Sequence, residues 1–226
     1  THGTNVNYSG FFYKYIKYKL NKNYYIDYDE IERMIKHFRP KILVAGYSAY
    51  SRLINWHVLN RITKSYNVFL LADISHVAGL IAAKVYPSPV GIADVITFTL
   101  HKTLRGPRGA VILTNSKSVD TLIKKAVFPG IQGGPFLNTI AKKSICFRLA
   151  MLNAFKFYQK NVVRNAKALA SFMLGMGFKV ISSGTDSHLF LVDLKAFNLT
   201  GAEAEKLLEV GCIILNRNSL PGDSKS

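Results

Sequence analysis

"VFLLADISHVAGLIAAKVYPSPVGIADVITFTLHK", residues 68–102, decides the fold. Two apolar runs of strand length, VFLLAD and DVITFT, stay hydrophobic throughout instead of alternating with polar residues. Continuous hydrophobicity of this kind marks strands of a mainly parallel sheet covered on both faces. "KILVAG" (41–46) upstream and "GAVILT" (109–114) downstream supply two further runs. Amphipathic segments alternate with them. "IDYDEIERMIKHF" (26–38) reads as a helix capped by Asp27 or Asp29, with Ile31, Met34, Ile35 and Phe38 on one apolar face. "INWHVLNRITKSY" (54–66) turns Trp56, Leu59 and Ile62 towards a core. The fold class is therefore α/β, with a mainly parallel sheet in a three-layer arrangement.

Working outward, residues 137–174 read as one or two long helices. Beyond them come "GFKVIS", "SHLFLVDL", a helix from Gly201 to Glu209 capped near Thr200, and the strand-like "GCIILN". This lettering predicts the start of a smaller α+β C-terminal domain, which divides the chain into residues 1–151 and 152–226.

Composition narrows the function classes. Hydrophobic residues make up 49% of the 226, enough for a substantial core, and no apolar run reaches the ~20 residues of a membrane-spanning helix. No membrane partner is expected. The two cysteines, Cys146 and Cys212, sit in apolar settings and read as core residues, with no metal site and no disulfide framework. The net charge of +17 leaves a nucleic-acid surface open, and "YKYIKYKLNKNYY" (13–25) interleaves lysines with tyrosines. Without a surrounding nucleic-acid module, that stretch reads as a solvated edge or loop. Both ends look cut, so the sequence reads as a fragment, expected to be inactive alone. It decides nothing between a cytoplasmic and a mitochondrial location.

In open parallel sheets, ligands bind at the carboxyl ends of the strands. That rule selects Ser48, Asp73 and the His101–Lys102 pair. A lysine just past a buried strand is costly to desolvate, and with Arg105 and Arg108 nearby its free, nucleophilic amine is favoured. The glycine-rich run that a P-loop needs before its lysine is missing here. A lone strand-end aspartate is ordinarily a helix cap or turn residue. Paired with a Schiff-base lysine on the next strand, it gains another meaning, because pyridoxal phosphate needs a carboxylate to keep its ring nitrogen protonated. His76, three residues after Asp73, could hydrogen-bond near such a ring.

The segments "AGYSAYSR", "LADISHVAGLIAA", "TFTLHKTLRGPRGAVIL", "AVFPGIQGGP" and "GTDSHLFLVDL…NLTG" together resemble the serine hydroxymethyltransferase family, in order and across nearly the whole chain. The resemblance implies the aspartate aminotransferase-like fold of pyridoxal-phosphate enzymes (PLP-dependent transferase, fold type I). It implies reversible transfer of the serine hydroxymethyl group to tetrahydrofolate, with pyridoxal 5'-phosphate as cofactor and tetrahydrofolate as co-substrate. By position, Lys102 resembles the Schiff-base lysine and Asp73 the partner of the pyridine nitrogen. Ser48 and His76 resemble residues near the cofactor's phenolic oxygen, with His101 beside the lysine. Gly133 and Gly134 resemble backbone that reaches the cofactor phosphate of a neighbouring subunit, which implies a homo-oligomer with shared active sites. Thr99 and Arg108 match active-site-region positions, and Asn218 in "NRNSLPGD" matches a folate contact.

Three residues depart from the family motifs: Ser75 stands for an alanine, Leu100 for a threonine and Ile131 for a glycine. The family's substrate-carboxylate arginine and its catalytic glutamate have no counterpart in the sequence. Two other readings stay in view. One is a threonine-aldolase-like enzyme of the same fold, indifferent to folate. The other is a non-catalytic or RNA-binding paralogue, suggested by the charge and by Leu100.

Overall fold

The Asp and Asn residues before the amphipathic segments do as their chemistry dictates. In the computed structural model, which describes residues 3–220 and so leaves the terminal PGDSKS outside the described residues, each of the first three helices is capped by one. Asn7 caps α1 (Tyr8–Phe12) and Asp27 caps α2 (Tyr28–Phe38), each accepting from a backbone N–H of the first turn. β1 (Ile42–Ala45) follows, and Asn55 caps α3 (Trp56–Ser65) in the same way. Then come β2 (Phe69–Asp73), α4 (Ala78–Ala82), β3 (Val95–Thr99) and β4 (Ala110–Leu113). The chain continues through α5 (Lys117–Lys125), a π-helical turn at Ala126–Ile131, α6 (Leu137–Ala150) and α7 (Asn153–Gly175). β5 (Lys179–Val180), β6 (Val192–Asp193) and α8 (Gly201–Val210) complete the described elements. A capping box between Thr200 and Glu203 starts α8.

All four expected strands form one sheet in the order β1-β2-β3-β4. The first three are parallel, with Ala45 opposite Ala72 and Asp73 opposite Thr97. β4 runs antiparallel to β3, pairing Ala110 with Thr99, so the sheet is mixed. The connection explains the reversal. A parallel return needs a long crossover, whereas the stretch between β3 and β4 folds back directly, with Gly106 N–H donating to the Leu100 carbonyl and Leu100 N–H to that of Gly109.

Because side chains alternate along a strand, the register assigns each residue to a face. One face carries Leu43, Ala45, Leu70, Ala72 and Ile96, all buried, and α3 packs there through Trp56, Leu59 and Ile62. α2 adds Ile31 and Ile35, while Phe38, expected on the same apolar face, is 51% exposed at the helix end. The opposite face is only partly covered among the described residues: Ile42 is 53% and Phe69 51% exposed. The second covering layer of a three-layer arrangement is therefore incomplete on the side that also carries Asp73, Thr97 and Thr99.

Two expectations fail beyond α8. "GCIILN" forms no strand, because no strand among the described residues lies alongside to take up its backbone hydrogen bonds. Cys212 is consequently exposed, while Cys146 is buried as expected. The 13–25 stretch is mostly exposed, although Tyr18 turns inward to donate to the Val44 carbonyl and share a hydrogen bond with Tyr47. Among the described residues, no helix is long and apolar enough to cross a membrane.

Candidate active site

The carboxyl ends of β2 and β3 converge on a small polar cluster. Asp73, the last residue of β2, lies opposite Thr97, and its Oδ1 accepts from both the Ser75 N–H (3.0 Å) and the Ser75 hydroxyl (2.6 Å). The same Ser75 Oγ accepts from the Thr99 N–H at 3.1 Å. Thr99, the last residue of β3, accepts in turn from Lys102 Nζ at 2.8 Å. Hydrogen bonds to the Ser75 hydroxyl and to the backbone and side chain of Thr99 thus link acid to amine across two neighbouring parallel strands. Close packing fixes the acid's backbone as well. Gly46, with φ +146°, runs so near that an added Cβ would fall 1.9 Å from the Asp73 carbonyl oxygen.

The loop after β3 is anchored from beneath. Thr103 Oγ1 donates to the His76 carbonyl at 2.8 Å and accepts from the Gly79 N–H at 3.0 Å. Gln159 of α7, fully buried, donates Nε2 to the Thr103 carbonyl at 2.7 Å. Lys102 is therefore held by a loop that is tied to α4 and α7.

Three imidazoles border the cluster. His76 is pushed below its ordinary pKa, chiefly by burial and then by the Lys102 cation, with Asp73 opposing and His101 adding to the depression. Burial, Lys102 and Arg108 lower His101, whose Nδ1 is buried without a hydrogen-bond partner among the described residues. His188 lies against His76 with ring centroids 6.5 Å apart and planes 23° apart, and burial brings it down to about 4. Each of the three shifts favours the neutral imidazole.

Of the residues singled out by sequence, Asp73, His76, Thr99, His101 and Lys102 come together here. Arg108 is exposed at the margin, near enough to His101 to act on its charge. Ser48 is exposed in the loop after β1. Gly133 and Gly134 are exposed between the π-helical turn and α6, with no atom within 4 Å of an added Cβ. Asn218 is exposed and donates to the Asn216 carbonyl. Among the described residues, no hydrogen bond or ion pair joins Ser48, Gly133, Gly134 or Asn218 to the cluster. Sequence reasoning missed Thr103, Gln159 and His188. His188 lay inside a quoted motif, whereas nothing local in the sequence marks Gln159.

The serine hydroxymethyltransferase family model matches residues 1–226. The chain belongs to the serine hydroxymethyltransferase family. It is 49% identical over its whole length to a probable serine hydroxymethyltransferase of Mesomycoplasma hyopneumoniae, and covers 54% of that protein. It is 47% identical, again over its whole length, to the serine hydroxymethyltransferases of Baumannia cicadellinicola and Nitrosococcus oceani, covering 55% of each. The chain thus spans about half the length of these curated relatives. For a serine hydroxymethyltransferase family member, the "HKTLRGPRG" loop and the "LADISHVAG" turn are the pieces that meet in space.

Proposed function

We propose that the protein carrying this chain is a pyridoxal 5'-phosphate-dependent serine hydroxymethyltransferase, which exchanges serine and tetrahydrofolate for glycine and 5,10-methylenetetrahydrofolate. One observation carries the reading: Asp73 ends β2 and Lys102 lies three residues past the end of the adjacent parallel strand β3, and the two are linked through Ser75 and Thr99. The residues present fit the cofactor. An acid and an amine flank one strand-end cluster, the adjoining sheet face is only partly covered among the described residues, and the buried Nδ1 of His101 is a polar atom with no partner among the described residues.

Lys102 would hold the aldehyde end of the cofactor, and Asp73 its ring nitrogen. When bound, the group supplies an electron sink for bonds broken at the substrate α-carbon. The chain's own residues provide orientation and charge. Two donors on Oδ1 fix the rotamer of Asp73. Thr99 Oγ1 takes one Lys102 proton in a hydrogen bond and so aims the amine. Neutral His76 and His101 offer hydrogen bonds without adding charge that would compete with Lys102 for Asp73.

The outlying residues take roles at the edges of the same site. Ser48 sits past the end of β1, the strand next to β2. The bare amides of Gly133 and Gly134 suit an anion brought by a second copy of the chain, in a homo-oligomer with shared sites. Asn218 and Arg108, both exposed, are available to folate and substrate. Residues 152–226 form the start of a smaller C-terminal domain, with α7 as the joint.

The test is serine cleavage by the purified full protein with and without tetrahydrofolate. Folate-dependent formation of glycine supports the reading. Aldol cleavage indifferent to folate would place the protein with the threonine-aldolase-like enzymes. Salt-sensitive RNA binding without any cofactor absorbance would make it the non-catalytic paralogue.

A further inference from the structure

Ser75 is the residue on which both strand ends depend. Its hydroxyl proton goes to Asp73 Oδ1 at 2.6 Å, a short charge-assisted hydrogen bond. Its oxygen lone pair receives the Thr99 N–H at 3.1 Å, and its own N–H reaches Asp73 Oδ1 at 3.0 Å. Ser75 is half-buried, so these contacts are shielded from competing water. An alanine here, as in the family motif, would keep the backbone N–H contact and lose both hydroxyl contacts.

We propose that Ser75 is a positioning residue, which sets the Asp73 carboxylate against the cofactor ring nitrogen and couples it to the Thr99–Lys102 end of the site. The inference rests on the function proposed above and adds a positioning determinant to it. With Oδ1 held by two donors, the carboxylate is fixed in one rotamer before the cofactor arrives, and the ordering entropy is not lost on binding. The Thr99 amide is fixed by the same oxygen. The acid, the amine and the β2–β3 spacing are thereby set together. The bland alternative is a polar strap between strand ends that matters for folding and nothing else.

The experiment titrates pyridoxal 5'-phosphate into the parent protein and into Ser75→Ala and Ser75→Thr, following cofactor absorbance, and measures kcat, KM and the melting temperature of the cofactor-free proteins. Loss of one charge-assisted hydrogen bond should weaken cofactor affinity about tenfold in Ser75→Ala. In the same variant kcat should fall with an unchanged KM for serine, and Ser75→Thr should restore both affinity and kcat to within about twofold of the parent. In an Asp73→Asn background, Ser75→Ala should add almost nothing, since the two act as one unit. Should Ser75→Ala not fold, Ser75→Cys keeps the volume, weakens the donor and should show the same loss. A lower melting temperature with cofactor affinity and kcat equal to the parent would overturn the proposal and leave the strap. A parent protein that binds no cofactor would overturn the proposed function itself, and this inference with it.

Discussion

Asp73 is hydrogen-bonded by its own turn and placed at a strand end, so its removal should act on chemistry more than on folding. Asp73→Ala is expected to lower turnover by a factor on the order of 10²–10³ or more, as for other preorganised charges, while cofactor binding stays measurable. Steady-state serine cleavage alongside an absorbance titration checks both halves. His188 yields a pH prediction of definite sign. Its folded-state pKa of about 4 lies below the ordinary 6.5, so the unfolded chain binds the extra proton between these values. Stability should therefore fall as pH drops from 6.5 towards 4, by on the order of 2–3 kcal/mol from this residue. Urea unfolding at pH 7 and pH 4 should show a smaller loss in His188→Asn; an equal loss would remove His188 as the cause. At this scale, the sequence made Asp73 and Lys102 legible because each ends an apolar run and the two explain each other chemically. It could not reveal Gln159, whose role depends on α7 crossing beneath the Thr103 loop, a contact between distant parts of the chain.

Elements were legible where local chemistry decided them. The caps at Asp27 and Thr200 and the four apolar runs all formed as read. The direction of β4 and the fate of "GCIILN" were not legible, since both depend on what lies alongside and not on the residues themselves. The junction of α4 with the Lys102 loop gives the sharpest element-scale prediction. A Cβ on Gly79 would fall 2.2 Å from the Thr103 carbonyl oxygen and 2.9 Å from Gln159 Nε2. Gly79→Ala must therefore displace the loop, at a cost of about 1–3 kcal/mol by the usual penalty of overpacking. Cofactor affinity should fall in parallel, because Lys102 is the residue directly before Thr103 and is displaced with it. Chemical denaturation and cofactor titration of the same variant provide the check, and unchanged values of both would show that the loop yields freely.

Across the whole molecule, one cation joins the sheet to the C-terminal segment. Arg52, past the end of β1, donates from Nε to Ser182 Oγ at 3.0 Å, from Nη1 to Asp186 Oδ1 at 3.2 Å, and from Nη2 to the Ser182 carbonyl. Arg52→Met should destabilise the protein by roughly 1–3 kcal/mol, since it takes the guanidinium donors from the buried Ser182 and the half-buried Asp186. A denaturant midpoint equal to the parent would contradict that. The same segment carries His188, so the variant should also perturb the His76 side of the cluster. The +17 charge has no matching concentration of basic residues within the cluster, where Lys102 and Arg108 are the cations that act on the imidazoles. The central claim is that Lys102 and Asp73 grip one ring from its two ends, and borohydride trapping tests it most directly. After incubation of the full protein with pyridoxal 5'-phosphate and reduction, peptide mass spectrometry should find a single pyridoxyl group, on Lys102. Reduction that leaves Lys102 unmodified, or that labels surface lysines indiscriminately, would contradict the account.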